Sequence, residues 1–207
     1  MYKLYYSAGA CSMAVHVALN EIGVKFELEN VTGKLKSEEF LKVNSRGAVP
    51  VLKIDDFILR EGAAILTYLL DNHENDLLPK SGLDRARALE WLSFANSTLH
   101  PAYSRLFFQH KILGEKAAEN PLYKPSIAAV QNYWNEIEGQ LKNSNYICGD
   151  KCSIADILLT VIANWSYAFQ ANILFGEKTK KLFNQVILRP SYKKALEAEG
   201  VTYKANQ

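Results

Sequence analysis

Near residue 76 the hydrophobic pattern of this chain changes character, and that change restricts its possible folds more than any other feature. Residues 1–76 interleave short strand-like runs with helix-spaced ones, whereas helical spacing fills most of residues 77–207. Residues 2–7, rich in tyrosine, read as a strand, and Ala8-Gly9-Ala10 as a turn. From Ser12, the residues Val15, Ala18, Leu19 and Ile22 recur at helical spacing up to Gly23, a residue suited to ending a helix. Residues 25–31 alternate polar with apolar as a second strand, and a helix crossing between two strands implies that they pair in parallel. A short helix at 37–41, two strand-like runs at 49–54 and 57–60 split by Asp55-Asp56 as a hairpin, and a helix at 63–70 complete an expected α/β domain over residues 1–76.

The segment Leu77-Leu78-Pro79-Lys80-Ser81-Gly82 marks the boundary, with a linker expected over 77–84 and an all-α domain over 85–207. A long helical pattern runs from Leu83 to about His110 and is interrupted by Pro101; another runs over 125–141 with Pro125 near its first turn. Ser153-Ile154-Ala155-Asp156 spells a capping box before Ile157, Leu158, Val161 and Ile162, which predicts a well-buried helix. Two shorter helices are expected near 178–187 and 191–199.

Composition excludes several function classes. The 207 residues carry 48% apolar and 22% charged side chains, as in an ordinary globular protein, and no apolar run approaches the roughly 20 residues of a membrane-spanning helix. With 24 basic and 22 acidic side chains the net charge is only +2, which gives no electrostatic case for nucleic acid or a membrane surface as a partner. The charge is uneven, with 8 basic and 11 acidic residues in 1–76 against 16 and 11 in the remainder. Three cysteines without a regular framework, and no basic-then-apolar leader, fit a cytoplasmic protein.

Several residues carry candidate chemistry. Cys11 stands where the first strand hands over to the first helix, beside the unpaired N–H groups and positive dipole of a helix start, an environment that favours thiolate. The other reading is a small buried apolar residue, with Ser12 as a helix cap. Cys148 and Cys152 lack the further ligands a zinc site needs, so no metal is expected and both read as packing residues. His16, His73 and His110 lie on or near the ends of helices, where solvent or a satisfied hydrogen bond is the default. The Val49-Pro50 step opens a strand at which an extended peptide can pair. Glu61-Gly62-Ala63-Ala64 opens a helix with free N–H groups for a carboxylate, while Glu61 can accept an ammonium; the zwitterionic end of a small peptide fits that pair.

Together these features resemble a cytosolic glutathione S-transferase over nearly the whole chain. More narrowly, Tyr5-Tyr6-Ser7-Ala8-Gly9-Ala10-Cys11-Ser12 is similar to the opening of the bacterial beta class, whose members use cysteine where other classes use tyrosine or serine. The likeness continues through Asn44-Ser45-Arg46-Gly47-Ala48-Val49-Pro50, Glu61-Gly62-Ala63-Ala64-Ile65, Glu90-Trp91-Leu92-Ser93-Phe94, His100 and Cys148 to Asp156. It implies a thioredoxin-like α/β domain followed by an all-α domain, assembled as a homodimer with one glutathione site per subunit. By the same likeness Cys11 and His100 are catalytic, and Tyr6, Lys36, Val49, Pro50, Glu61, Gly62, Ser93 and Ser97 bind glutathione, with Pro50 cis and the two serines reaching across the dimer. Trp165, Tyr103 and Phe107 are implied as the lining of a pocket for the apolar second substrate.

The implied activity is transfer of glutathione to hydrophobic small-molecule electrophiles, or thiol-disulfide exchange through Cys11, with glutathione as co-substrate. The alternative is a non-catalytic binding module on the same fold. Pro101 departs from the family pattern, which has lysine after the histidine. An interior proline removes its N–H and crowds the carbonyl four residues back, that of Ser97, so a kink is expected there, with His100 pushed off helical dihedrals.

Overall fold

The structure, a computed structural model, describes residues 1–169 and 173–205. Its first part holds strands β1 (Tyr2–Tyr6), β2 (Phe26–Asn30), β3 (Val51–Ile54) and β4 (Phe57–Arg60), with helices α1 (Ser12–Ile22), α2 (Glu38–Val43) and α3 (Gly62–Asn72). The sheet order is β2-β1-β3-β4. β1 runs parallel to β2, with Leu4 opposite Leu28, and antiparallel to β3, with Leu4 opposite Leu52. Asp55-Asp56 closes the β3–β4 hairpin between the paired Ile54 and Phe57, and Asp55 takes the positive φ of 51° that a two-residue turn asks for. Gly23 ends α1 in the left-handed conformation, and the Ser37 hydroxyl accepts the Phe40 N–H to start α2.

The second part is helical: α4 (Gly82–Phe94), a π-helical turn (Ala95–Leu99), α5 (His100–Leu113), α6 (Tyr123–Gln140), α7 (Ile154–Ala163), α8 (Glu177–Ile187) and α9 (Pro190–Glu199). α4 thus begins inside the stretch expected as linker. All ten residues of α7 are buried, and its capping box forms: the Asp156 carboxylate accepts the Ser153 N–H and hydroxyl at 2.7 Å each and the Ile147 N–H at 2.8 Å. α9 packs back on α1, where Arg189 pairs with Glu21 at 2.7 Å and the buried His16 meets Glu199 at 2.9 Å. One continuous apolar core therefore runs from Leu4 and Leu52 through α1 and α7 to Phe183. His73 bonds the Tyr2 hydroxyl and His110 that of Tyr123.

Where a kink was expected at Pro101, the structure holds the π turn in the residues just before it. His100, however, stays helical at φ −56° and ψ −49°, contrary to expectation. Its N–H bonds the Ala95 carbonyl five residues back, so the wide turn absorbs the mismatch just before the residue that supplies no N–H. Among the described residues, no helix is long and apolar enough to cross a membrane.

Candidate active site

Two cavities meet at Cys11 and His100. The first, about 290 Å³, lies between the sheet edge and the helical part, with Arg46, Val49, Pro50 and Glu61 on one wall and Asn96 and Ser104 on the other. The second, about 390 Å³, is more aromatic, bounded by the Ala8–Ala10 turn, Phe107, Trp165, Tyr167 and Val201.

Cys11 is positioned by the tight turn after β1. The Ser12 hydroxyl donates to the Ser7 carbonyl at 3.2 Å, and the Ala10 N–H donates to the same carbonyl at 3.0 Å, folding the chain straight into α1. The Cys11 thiol then donates to the Val49 carbonyl at 3.4 Å. Here the expectation of a favoured thiolate is overturned: burial pushes the Cys11 thiol up to about 11. The backbone N–H groups of Cys11 and Ser12 act in the opposite direction, and the Glu61 charge adds to the rise. Desolvation of the charged form outweighs the helix start.

The Val49–Pro50 peptide bond is cis, and the loop before it is held by Asn44, whose amide donates to the Ala48 carbonyl at 2.7 Å. Glu61 caps α3 with φ 71°, outside the usual range for a side-chain-bearing residue, and pairs with Arg46. Both partners are largely exposed, so the pair contributes little to stability. Gly62 lies against the helical part, where a Cβ would meet the Asn96 side-chain oxygen at 3.3 Å and the Pro50 ring at 3.7 Å. His100 turns its ring edge-to-face on Trp165, with 4.9 Å between centroids, and burial holds its pKa below the ordinary value, which favours neutral imidazole. Trp165 in turn donates its indole N–H to the Gly9 carbonyl at 2.8 Å, tying the helical part to the Cys11 turn.

The structure brings together Cys11, Val49, Pro50, Glu61, Gly62 and His100 around the first cavity, and Phe107 and Trp165 around the second. Other expected residues lie elsewhere. Tyr6 is buried in the core, its ring against His16. Lys36 stands outside the cavity walls and donates to the Arg46 carbonyl at 3.1 Å. Ser93 and Ser97 are exposed and line neither cavity, while Asn96 between them does. Tyr103 is wholly buried behind Trp165; its hydroxyl contacts Ser166 at 2.5 Å and accepts the Trp134 indole N–H at 2.8 Å, so it supports the wall without lining it. The sequence reading missed Arg46, Arg60, Asn96, Ser104 and Tyr167 as lining residues. Asn96 and Ser104, each four residues from His100, had a positional signal. Cys148 and Cys152 are free thiols, and among the described residues no group of His, Cys, Asp and Glu side chains is placed to hold a metal ion.

A thiol at a helix start beside an X-Pro strand edge, with a carboxylate and free N–H groups opposite, on an α/β sheet packed against helices, defines a glutathione-transferase-like architecture. Residues 4–77 match the glutathione S-transferase N-terminal domain and residues 96–190 the C-terminal domain. The chain belongs to the glutathione S-transferase family. It is 32% identical to glutathione S-transferase GstA of Escherichia coli O157:H7, over 96% of this chain and 99% of that protein. Among solved structures it is similar to a sphingomonad glutathione S-transferase complexed with glutathione, at a TM-score of 0.84 and 32% identity over 97% of this chain and 100% of the other. It is likewise similar to the bacterial beta class enzyme of Sphingomonas chungbukensis, at 0.83 and 32% with the same coverage.

Proposed function

We propose that the protein transfers glutathione to apolar, electron-poor carbons, with Cys11 as a thiol hydrogen-bond donor. One observation carries this reading: the Cys11 sulfur lines both a polar cleft at the sheet edge and an aromatic cavity, at the seam where the two meet. The tripeptide lies along Val49-Pro50, with its γ-glutamyl ammonium against Glu61 and its carboxylates among the N–H groups opening α3 and the guanidinium groups of Arg46 and Arg60. In a homodimer Ser93 and Ser97 face the partner's cleft, and Lys36 supports the rim through its bond to the Arg46 carbonyl.

Neutral His100 takes the proton of the glutathione thiol. The resulting thiolate accepts the Cys11 S–H, which stabilises the charge in a half-dry site. Carbon–sulfur bond formation on an aryl halide in the second cavity then expels halide, and the imidazolium returns its proton to solvent. Disulfide exchange through Cys11 is the second reading, favoured by the access of its sulfur to both cavities; it needs ionised sulfur, which burial opposes.

The test is thioether formation from glutathione and 1-chloro-2,4-dinitrobenzene. Cys11→Ser keeps a donor and is expected to retain conjugation, whereas Cys11→Ala loses about tenfold, the value of one hydrogen bond to a charged group. Glutathione binding without turnover by the unaltered protein would establish the non-catalytic module instead, and loss of conjugation in neither variant would remove Cys11 from the mechanism.

A further inference from the structure

Residues 201–204 fold back onto the second cavity. Val201 lines it and stands where a Cβ on Gly9 would touch, at 3.5 Å. Asn164, another lining residue, fastens this segment at two points, donating to the Thr202 carbonyl at 3.1 Å and accepting the Lys204 N–H at 2.7 Å. Fixed by that clasp, the Lys204 ammonium rests over the Tyr167 ring, 4.6 Å from its centroid. Tyr167 lines the cavity and is 57% exposed, so it stands at the mouth. Among the described residues, none of the lining side chains is acidic and Lys204 forms no salt bridge.

We infer that Lys204, held over Tyr167 by the Asn164 clasp, is a specificity-determining residue that favours aromatic acceptors carrying an anionic group at the end facing solvent. The inference rests on the second cavity being the acceptor site. An arene slides among Phe107, Trp165 and Tyr167, while its carboxylate or sulfonate meets the ammonium at the mouth. The ammonium gives up little, because a cation over an exposed ring is weakly held and can pair with the anion without leaving its place.

Binding of two arenes that differ by one carboxylate tests this without requiring turnover. Quenching of tryptophan fluorescence by 3,5-dinitrobenzoate and by 1,3-dinitrobenzene gives two dissociation constants for the unaltered protein and for Lys204→Met and Lys204→Arg. The expected result is a ratio that shifts about threefold against the benzoate in Lys204→Met, fades in high salt, and returns in Lys204→Arg. An unchanged ratio, equal losses for both arenes, a shift that arginine does not reverse, or no quenching by either arene overturns the inference. Thioether formation is scored separately, so a protein that binds arenes with this selectivity and makes no thioether contradicts only the proposed transferase reaction.

Discussion

The sulfur of Cys11 lies 3.4 Å from the carbonyl oxygen of Val49, so the residue that opens α1 is joined to the residue before Pro50 across the floor of the cleft. This contact couples the two features to which the proposed function assigns the binding and activation of a thiol peptide. A ligand whose N–H takes the Val49 carbonyl releases the Cys11 S–H, which then turns to the incoming sulfur.

Glu61 carries backbone strain at the position to which the proposed function assigns the γ-glutamyl end. A residue with a side chain at φ 71° stores roughly 1–3 kcal/mol of strain, more than the 0.5–1 kcal/mol of chain entropy that glycine brings to a fold. Glu61→Gly is therefore expected to raise the thermal midpoint by a few degrees, an amount about 1 kcal/mol produces in a domain of this size, while weakening glutathione binding about tenfold or more. Calorimetric unfolding and titration of the same preparation check both halves.

Tyr103 was expected to touch substrate and instead holds the wall from behind. Tyr103→Phe leaves the buried Trp134 indole N–H without its acceptor, a loss of about 1–3 kcal/mol. Urea denaturation should show that loss, while the KM for an aryl halide changes less than twofold, since the hydroxyl lines neither cavity.

His100 predicts a pH dependence of stability. Burial lowers its folded-state pKa, so between that value and the ordinary 6.5 the unfolded chain binds more protons than the folded one. Its contribution is present in full above pH 6.5 and is lost as pH falls through that range. Urea midpoints at pH 7.5 and 5.5 should therefore converge between the unaltered protein and His100→Gln as pH drops, and parallel lines would show that the imidazole is not desolvated.

Local chemistry made much of the fold legible in advance. Asp55-Asp56 set the hairpin register, Gly23 the end of α1, and Ser153 with Asp156 the start of α7, because each acts through neighbours a few residues away in sequence. Long-range effects were not legible. The bias of a residue before proline against helical dihedrals is local, and at His100 the continuous helix overrides it, with φ −56° and ψ −49°. The rule that a helix start lowers a thiol pKa is outweighed at Cys11 by desolvation at the seam between the sheet and the helical part, which no local pattern encodes. Asn96 lines the cleft beside Gly62, a contact between distant parts of the chain that no local pattern encodes.

The state of Cys11 is the point on which the account turns, and its alkylation rate against pH measures it most directly. Iodoacetamide labelling quantified on the Cys11 peptide, in the absence of glutathione, should rise with a midpoint near the value of about 11 to which burial pushes this thiol. A midpoint below about 8, under that of a free cysteine, would show a thiolate at rest and contradict the account.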